Sequence, residues 1–115
     1  MAIWKIDSED GSLVWKMNHQ LPTDVGGSGL ESVVFHDDGG FVVGGFKQGK
    51  DHILKMGFKS GGMASTGEPF FGKISADDAA DSEAPTDFEW TYSETDKGYK
   101  GSVKSMKIND EGSIY

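Results

Sequence analysis

Leu30-Glu31-Ser32-Val33-Val34-Phe35-His36-Asp37-Asp38-Gly39-Gly40-Phe41-Val42 and Val103-Lys104-Ser105-Met106-Lys107-Ile108-Asn109-Asp110-Glu111-Gly112-Ser113-Ile114-Tyr115 read against each other position for position. Each is a short apolar alternation, an acidic pair, a glycine and a second apolar run. Alternation with a period of two marks a half-buried strand, and glycine after an acidic residue supplies the positive φ of a tight turn. Each copy therefore reads as a β-hairpin. A phrase that recurs within one chain is a structural unit used twice, and such repeats decide architecture first. The second copy stops at its second strand, so the sequence is expected to end inside a unit.

A second hairpin also recurs. Residues 3–7 and 13–18 are strand-like and are joined by a polar turn containing Gly11, with Leu13, Trp15 and Met17 on one face. Phe71-Gly72-Lys73-Ile74-Ser75 matches Ile3-Trp4-Lys5-Ile6-Asp7, and Phe88, Trp90 and Tyr92 match Leu13, Trp15 and Met17. Between these later strands the turn has grown into an acidic loop at 76–87. The first copy of the opening phrase predicts strands at 31–36 and 41–46, where Gly44-Gly45 implies a bulge or a close backbone approach. Pro22 and the glycines at 26, 27 and 29 predict a loop over 20–29. Residues 47–68 read as an insertion containing a strand at 51–58, with Leu54, Met56 and Phe58 on one face. No window shows sustained helical periodicity, so no helix is expected. The two hairpins alternate with a spacing of roughly seventy residues. Together they make a four-stranded antiparallel unit.

Composition narrows the function classes. The 115 residues suit one ordinary domain, and 17 glycines suit many tight turns better than helices. All 11 basic residues are Lys, against 19 Asp and Glu, for a formal net charge of −8. An acidic chain with no local basic cluster repels phosphate backbones, which argues against nucleic-acid binding. With no Arg there is no bidentate fork for phosphate or carboxylate recognition. With no Cys there is no disulfide, thiolate nucleophile or thiolate metal site. No apolar run approaches the ~20 residues of a membrane-spanning helix. The first residues lack the pattern of a targeting signal, and localisation is left unassigned.

An alternating strand, an acidic-glycine turn, an Ile/Phe-rich strand, then Lys-Ile-Asp, a turn and aliphatic-x-Trp resembles the blades of bacterial-type β-propellers. The likeness is to the quinoprotein-like (PQQ-like) and seven-bladed-propeller-related repeats. It is carried by His36-Asp37-Asp38-Gly39 and Asn109-Asp110-Glu111-Gly112 at the first turn. Trp4-Lys5-Ile6-Asp7 with Gly11 and Val14-Trp15, and Lys73-Ile74 with Glu89-Trp90, complete it. The resemblance implies an all-β chain of antiparallel four-stranded blades, about two blades' worth of a partial propeller. Residues 1–19 would be the second hairpin of a preceding blade, and 29–93 one full blade with the insertion at 47–68 and the acidic loop at 76–87. Residues 101–115 would be the first hairpin of a following blade. Propellers close with four to eight blades. The expected partners are therefore the remainder of a propeller or other protein subunits, with self-association as one route.

Candidate chemistry is sparse. Asp77, Asp78, Asp81 and Glu83 concentrate oxygen ligands and allow a weak calcium site, the one cofactor that the residues suggest. The acidic turns at 37–38 and 110–111 read instead as local hydrogen-bonding devices. His36 aligns with Asn109, which points to a shared role at the turn. Ser28 lacks the spacing and the following helix of a nucleophile elbow, and no catalytic set is recognisable. The repeated positions of Trp15 and Trp90 predict packing between blades, whereas Trp4, opposite Gly72 in the alignment, is a candidate partner contact. His52, Leu54, Met56 and Phe58 of the insertion are further candidates. The expected function is that of a non-enzymatic scaffold or protein-interaction segment of a larger β-propeller protein or assembly, the segment of a larger protein being favoured over self-assembly. The alternatives are part of a quinoprotein-type dehydrogenase or a carbohydrate-binding propeller.

Overall fold

A computed structural model of the chain describes residues 1–19, 25–49, 67–93 and 101–115. The elements in order are β1 (Ala2–Ile6), β2 (Leu13–Asn18), β3 (Val25–Phe35), β4 (Phe41–Gly49), β5 (Glu68–Ile74), a single-turn helix α1 (Ala76–Ala80) and β6 (Trp90–Ser93). The chain is mostly β, as its alternation requires. Strands β1 and β2 form an antiparallel hairpin, and β3-β4-β5-β6 form a four-stranded antiparallel meander.

Register assigns side chains to the two faces of the meander. Phe35 lies opposite Phe41, which lies opposite Ile74; Val33, Val43 and Gly72 form the next row. This first face also carries Phe70, and the β1–β2 hairpin packs on it. Trp15 and Met17 bury themselves with Val43, Phe70, Ile74 and Phe88 in one cluster. The second face carries Val42, Gly44 and Phe71. Residues 101–106 cross it: a Cβ on Gly44 would stand 2.6 Å from a Val103 methyl and 3.0 Å from the Met106 sulfur. The Val103 amide donates to the Gly45 carbonyl at 3.1 Å, and Ser32 Oγ donates to the Val103 carbonyl at 3.0 Å. The four-stranded sheet is thus sandwiched between the two terminal parts of the chain.

The two turns of the repeated phrase share most of their bonds and differ in one, the Gly40 amide going to Asp38 and the Ser113 amide to Asn109. His36 Nδ1 accepts from the Asp38 amide at 3.2 Å, and Asn109 Oδ1 accepts from the Glu111 amide at 3.1 Å. Gly39 donates to the His36 carbonyl and Gly112 to the Asn109 carbonyl, each at 3.0 Å. Both glycines hold positive φ, at 94° and 84°. A side-chain acceptor two residues back is what lets His and Asn share the position.

Several expectations are corrected. The glycines at 26–29 belong to β3 and not to a loop, and β4 runs to Gly49, into the stretch read as an insertion. These glycines permit close approach: a Cβ on Gly29 would lie 2.8 Å from the Phe46 ring, and one on Gly45 would collide with the Gly29 carbonyl. The acidic loop contains α1, which no periodicity announced. Ser75 caps it, its Oγ accepting from the Asp78 amide at 3.1 Å, and Asp77 and Asp78 sit in the first turn, where the helix dipole favours negative charge. Residues 101–115 form less ladder than expected. Ile108 and Ile114 make an isolated bridge, flanked by a reciprocal pair of bonds between Lys107 and Tyr115. The strand expected at 51–58 lies outside the described residues.

Gly45→Ala should lower the unfolding free energy by about 1–3 kcal/mol, the usual cost of forcing atoms into a filled interior. Urea titration should show a lower midpoint at unchanged slope. An unchanged midpoint would mean that β3 and β4 do not pair in this register.

Candidate functional site

Beside the β1–β2 hairpin, the first face of the sheet is open. A cleft of about 800 Å³ lies between β1 and β3–β4, with Ile3, Trp4, Ile6, Leu30, Val33, Phe35, Phe41 and Val43 among its lining residues. Every residue of β1 borders it, whereas β2 contributes Trp15. The outer edge of β1 has no strand beside it among the described residues, and β3 is the edge strand of its own sheet. Unpaired edges are templates for a further strand. The lining includes apolar side chains left in water: Phe35 is 78% exposed, Val33 55% and Trp4 54%. Trp15 also lines the cleft, and its buried indole N–H finds no acceptor among the described residues.

Polar contacts fix the elements around the cleft, and of the charged residues that make them Lys5 and Glu31 line it. Lys5 Nζ donates to the Ala79 carbonyl at 2.8 Å and to the Asp81 carbonyl at 2.9 Å, tying β1 to the C-terminal end of α1. Those carbonyls have no partner within so short a helix, and a cation is the favoured neighbour there. Under the turn at 36–40, Lys73 Nζ stands 2.6 Å from Asp38 and 3.1 Å from Glu89. The Asp38 carboxylate takes the Gly40 amide on its other oxygen at 2.8 Å. The hydrogen bond from Lys73, and then that from Gly40, hold the Asp38 carboxyl below its ordinary value, while Asp38 and then Glu89 raise the Lys73 ammonium. At the opposite edge, Glu31 meets Lys104 at 2.6 Å and also accepts from Ser102.

The candidate residues are distributed unevenly over this geometry. Trp4 lines the cleft, with the Lys16 ammonium 5.2 Å from its ring centre. His52, Leu54, Met56 and Phe58 lie outside the described residues. Of Asp77, Asp78, Asp81 and Glu83, two carboxylates are engaged locally: Asp78 accepts from the Ser75 hydroxyl and Asp81 from the Glu83 amide. Among the described residues, no three His, Asp or Glu side chains gather to hold a metal ion. Trp90, expected to pack between sheets as Trp15 does, is 39% exposed. Trp15 is covered by the meander, whereas among the described residues no sheet lies over β6 on that side. Val33, Phe35 and Ile6 were not singled out from the sequence. Their signal was present, since each belongs to a repeated hairpin whose alternation puts it on an apolar face.

Comparison with protein-family models, with curated proteins and with solved structures gives no match to this chain.

The Asp38–Lys73 pair yields a pH dependence of known sign. A carboxyl held below its unfolded value contributes stability above about pH 3.8 and loses it as pH falls through the folded value. Asp38→Asn should lower Tm at neutral pH, and the gap to wild type should close in acid, where Asp38 is itself protonated. Thermal melts from pH 7 to pH 2 check this. A gap that persists unchanged to low pH would mean that the carboxylate charge is not what holds the turn.

Proposed function

We propose that this chain is a non-enzymatic interaction module, a set of stacked antiparallel sheets that receives further strands to complete a β-propeller-type assembly. The observation that carries the reading is the cleft, where a β1 edge with no strand beside it among the described residues runs along a row of water-exposed apolar side chains on β3. Edge amides and carbonyls together with an apolar floor are what strand addition uses: main-chain bonds supply affinity and alternate side chains supply specificity. Two features support the stacked-sheet part of the reading. The meander carries a hairpin on each face, and its two ends still show large apolar side chains. Contiguous apolar surface of this kind usually marks an interface.

The double variant Val33→Asp/Phe35→Asp places charge where the cleft is apolar and exposed, so it should leave far-UV circular dichroism unchanged. It should abolish binding of an apolar fluorescent dye and any concentration-dependent association seen in the wild type. Wild-type levels of both in the variant would remove the cleft as the interaction surface.

A further inference from the structure

We propose that the cleft is filled by the 101–115 hairpin of a second copy of this chain, joined head to tail, with the contact repeating until a ring closes. This rests on the stacked-sheet reading above and names its occupant.

The argument starts from what packs on what within one chain. Trp15 and Met17 of the first hairpin bury themselves against Phe70 and Ile74 of the meander. Through the sequence repeat, Trp15 and Met17 correspond to Trp90 and Tyr92, while Phe70 and Ile74 correspond to Ala2 and Ile6, and Gly72 to Trp4. The described residues therefore expose two surfaces that are the halves of a contact the chain already makes internally. Trp90 and Tyr92 lie at one end and Trp4 and Ile6 at the other, and all four are exposed. Set against each other between copies, they reproduce the internal contact.

The strand edges agree. Within the meander, Phe41 pairs with Ile74 and Val42 with Lys73. Phe41 and Val42 correspond to Ile114 and Tyr115, and Ile74 and Lys73 to Ile6 and Lys5. The outer edge of β1, open among the described residues, should thus receive Ile114 opposite Ile6 and Tyr115 opposite Lys5. The incoming hairpin would then lie over Val33 and Phe35. Charge follows the same logic. Glu31 pairs with Lys104 within the chain and also lines the cleft. An incoming hairpin brings the Lys104 of its own copy against this Glu31 as well, one cation between two carboxylates. It also brings backbone carbonyls to the cleft bordered by the Trp15 indole, whose N–H has no acceptor among the described residues.

The two ends differ, so the contact is heterologous and must close into a ring or run on as a filament. Two units per copy and four to eight units per ring give about two to four copies.

The absence of cysteine from the chain makes the register directly testable. Ile6→Cys and Ile114→Cys, made in separate chains and mixed under mild oxidation, should give a crosslinked dimer that neither gives alone. Antiparallel partners stand about 4.5–5.5 Å apart at Cα, within the span of a disulfide. Ile6→Cys mixed with Ile108→Cys should give no product, because position 108 lies one strand further away, about 9–10 Å. Light scattering of the wild type should give about two to four times 12.4 kDa. A monomer with no 6–114 link overturns the proposal, and so does a monomer whose β1 amides resist hydrogen exchange, since its cover then lies within the chain. In either case the Val103 amide separates the two readings. If it stays protected by Gly45, the stacked sheets stand and only the occupant is wrong. If it exchanges freely, the stack itself fails.

Discussion

Val42 and Val43 are neighbours in β4 and both are out of water, which a strand achieves only if something packs on each side of its sheet. Much else follows from that requirement. Val43 is covered by the hairpin that carries Trp15 and Met17, and next to it Gly44 lets Val103 and Met106 come down on the opposite face. A side chain at Gly44 would hold Val103 and Met106 off the sheet, and one at Gly45 would push β3 away from β4. The glycine pair in the middle of β4 is therefore a spacing device, and the cost of glycine within a strand is offset by the closeness it permits.

The hairpins were legible because their signals are local. Alternation, acidic-glycine turns and the repeated phrase all act within a dozen residues, and the two turns share the amide-to-side-chain bond that the His36/Asn109 alignment suggested. What was not legible depended on partners distant in sequence. The glycines at 26–29 look like a loop until Phe46 and Gly45 are seen pressed against them. Helix α1 is too short to show a period, and besides its Ser75 cap it is held by Lys5, more than seventy residues earlier in the chain. The candidate site was half-visible: Trp4 stood out as a large residue in place of a glycine, whereas Val33 and Phe35 looked like ordinary core. An alternating strand announces an apolar face but not whether that face is covered.

Electrostatics in this chain serve geometry. With a net charge of −8 and no Arg, the Lys residues act at particular joints. Lys5 ties β1 to α1, Lys73 ties the 36–40 turn to Glu89, and Lys104 ties the last segment to Glu31. Exposed pairs of this kind add little stability each. Their value is in fixing which element meets which, so that the apolar contacts form in one register only.

The weakest elements are the two ends, and they are weak in complementary ways. An isolated two-stranded hairpin is marginal in water, and β1–β2 is held by the apolar face it lays on the meander. Its outer edge and its Trp4–Ile6 face gain nothing from that contact. Residues 101–115 are anchored through Val103 and Met106, yet their two strands share a single bridge and the Tyr115 face points outward. In the meander, by contrast, the corresponding hairpins β3–β4 and β5–β6 are joined edge to edge, and the resulting sheet holds Val42 and Ile74 fully out of water. Among the described residues, β1–β2 has no counterpart of β3–β4 beside it, and 101–115 has no counterpart of β5–β6. A two-fold pairing of like ends would set β1 against β1 and leave both hairpins incomplete, so the physics of the edges favours joining unlike ends.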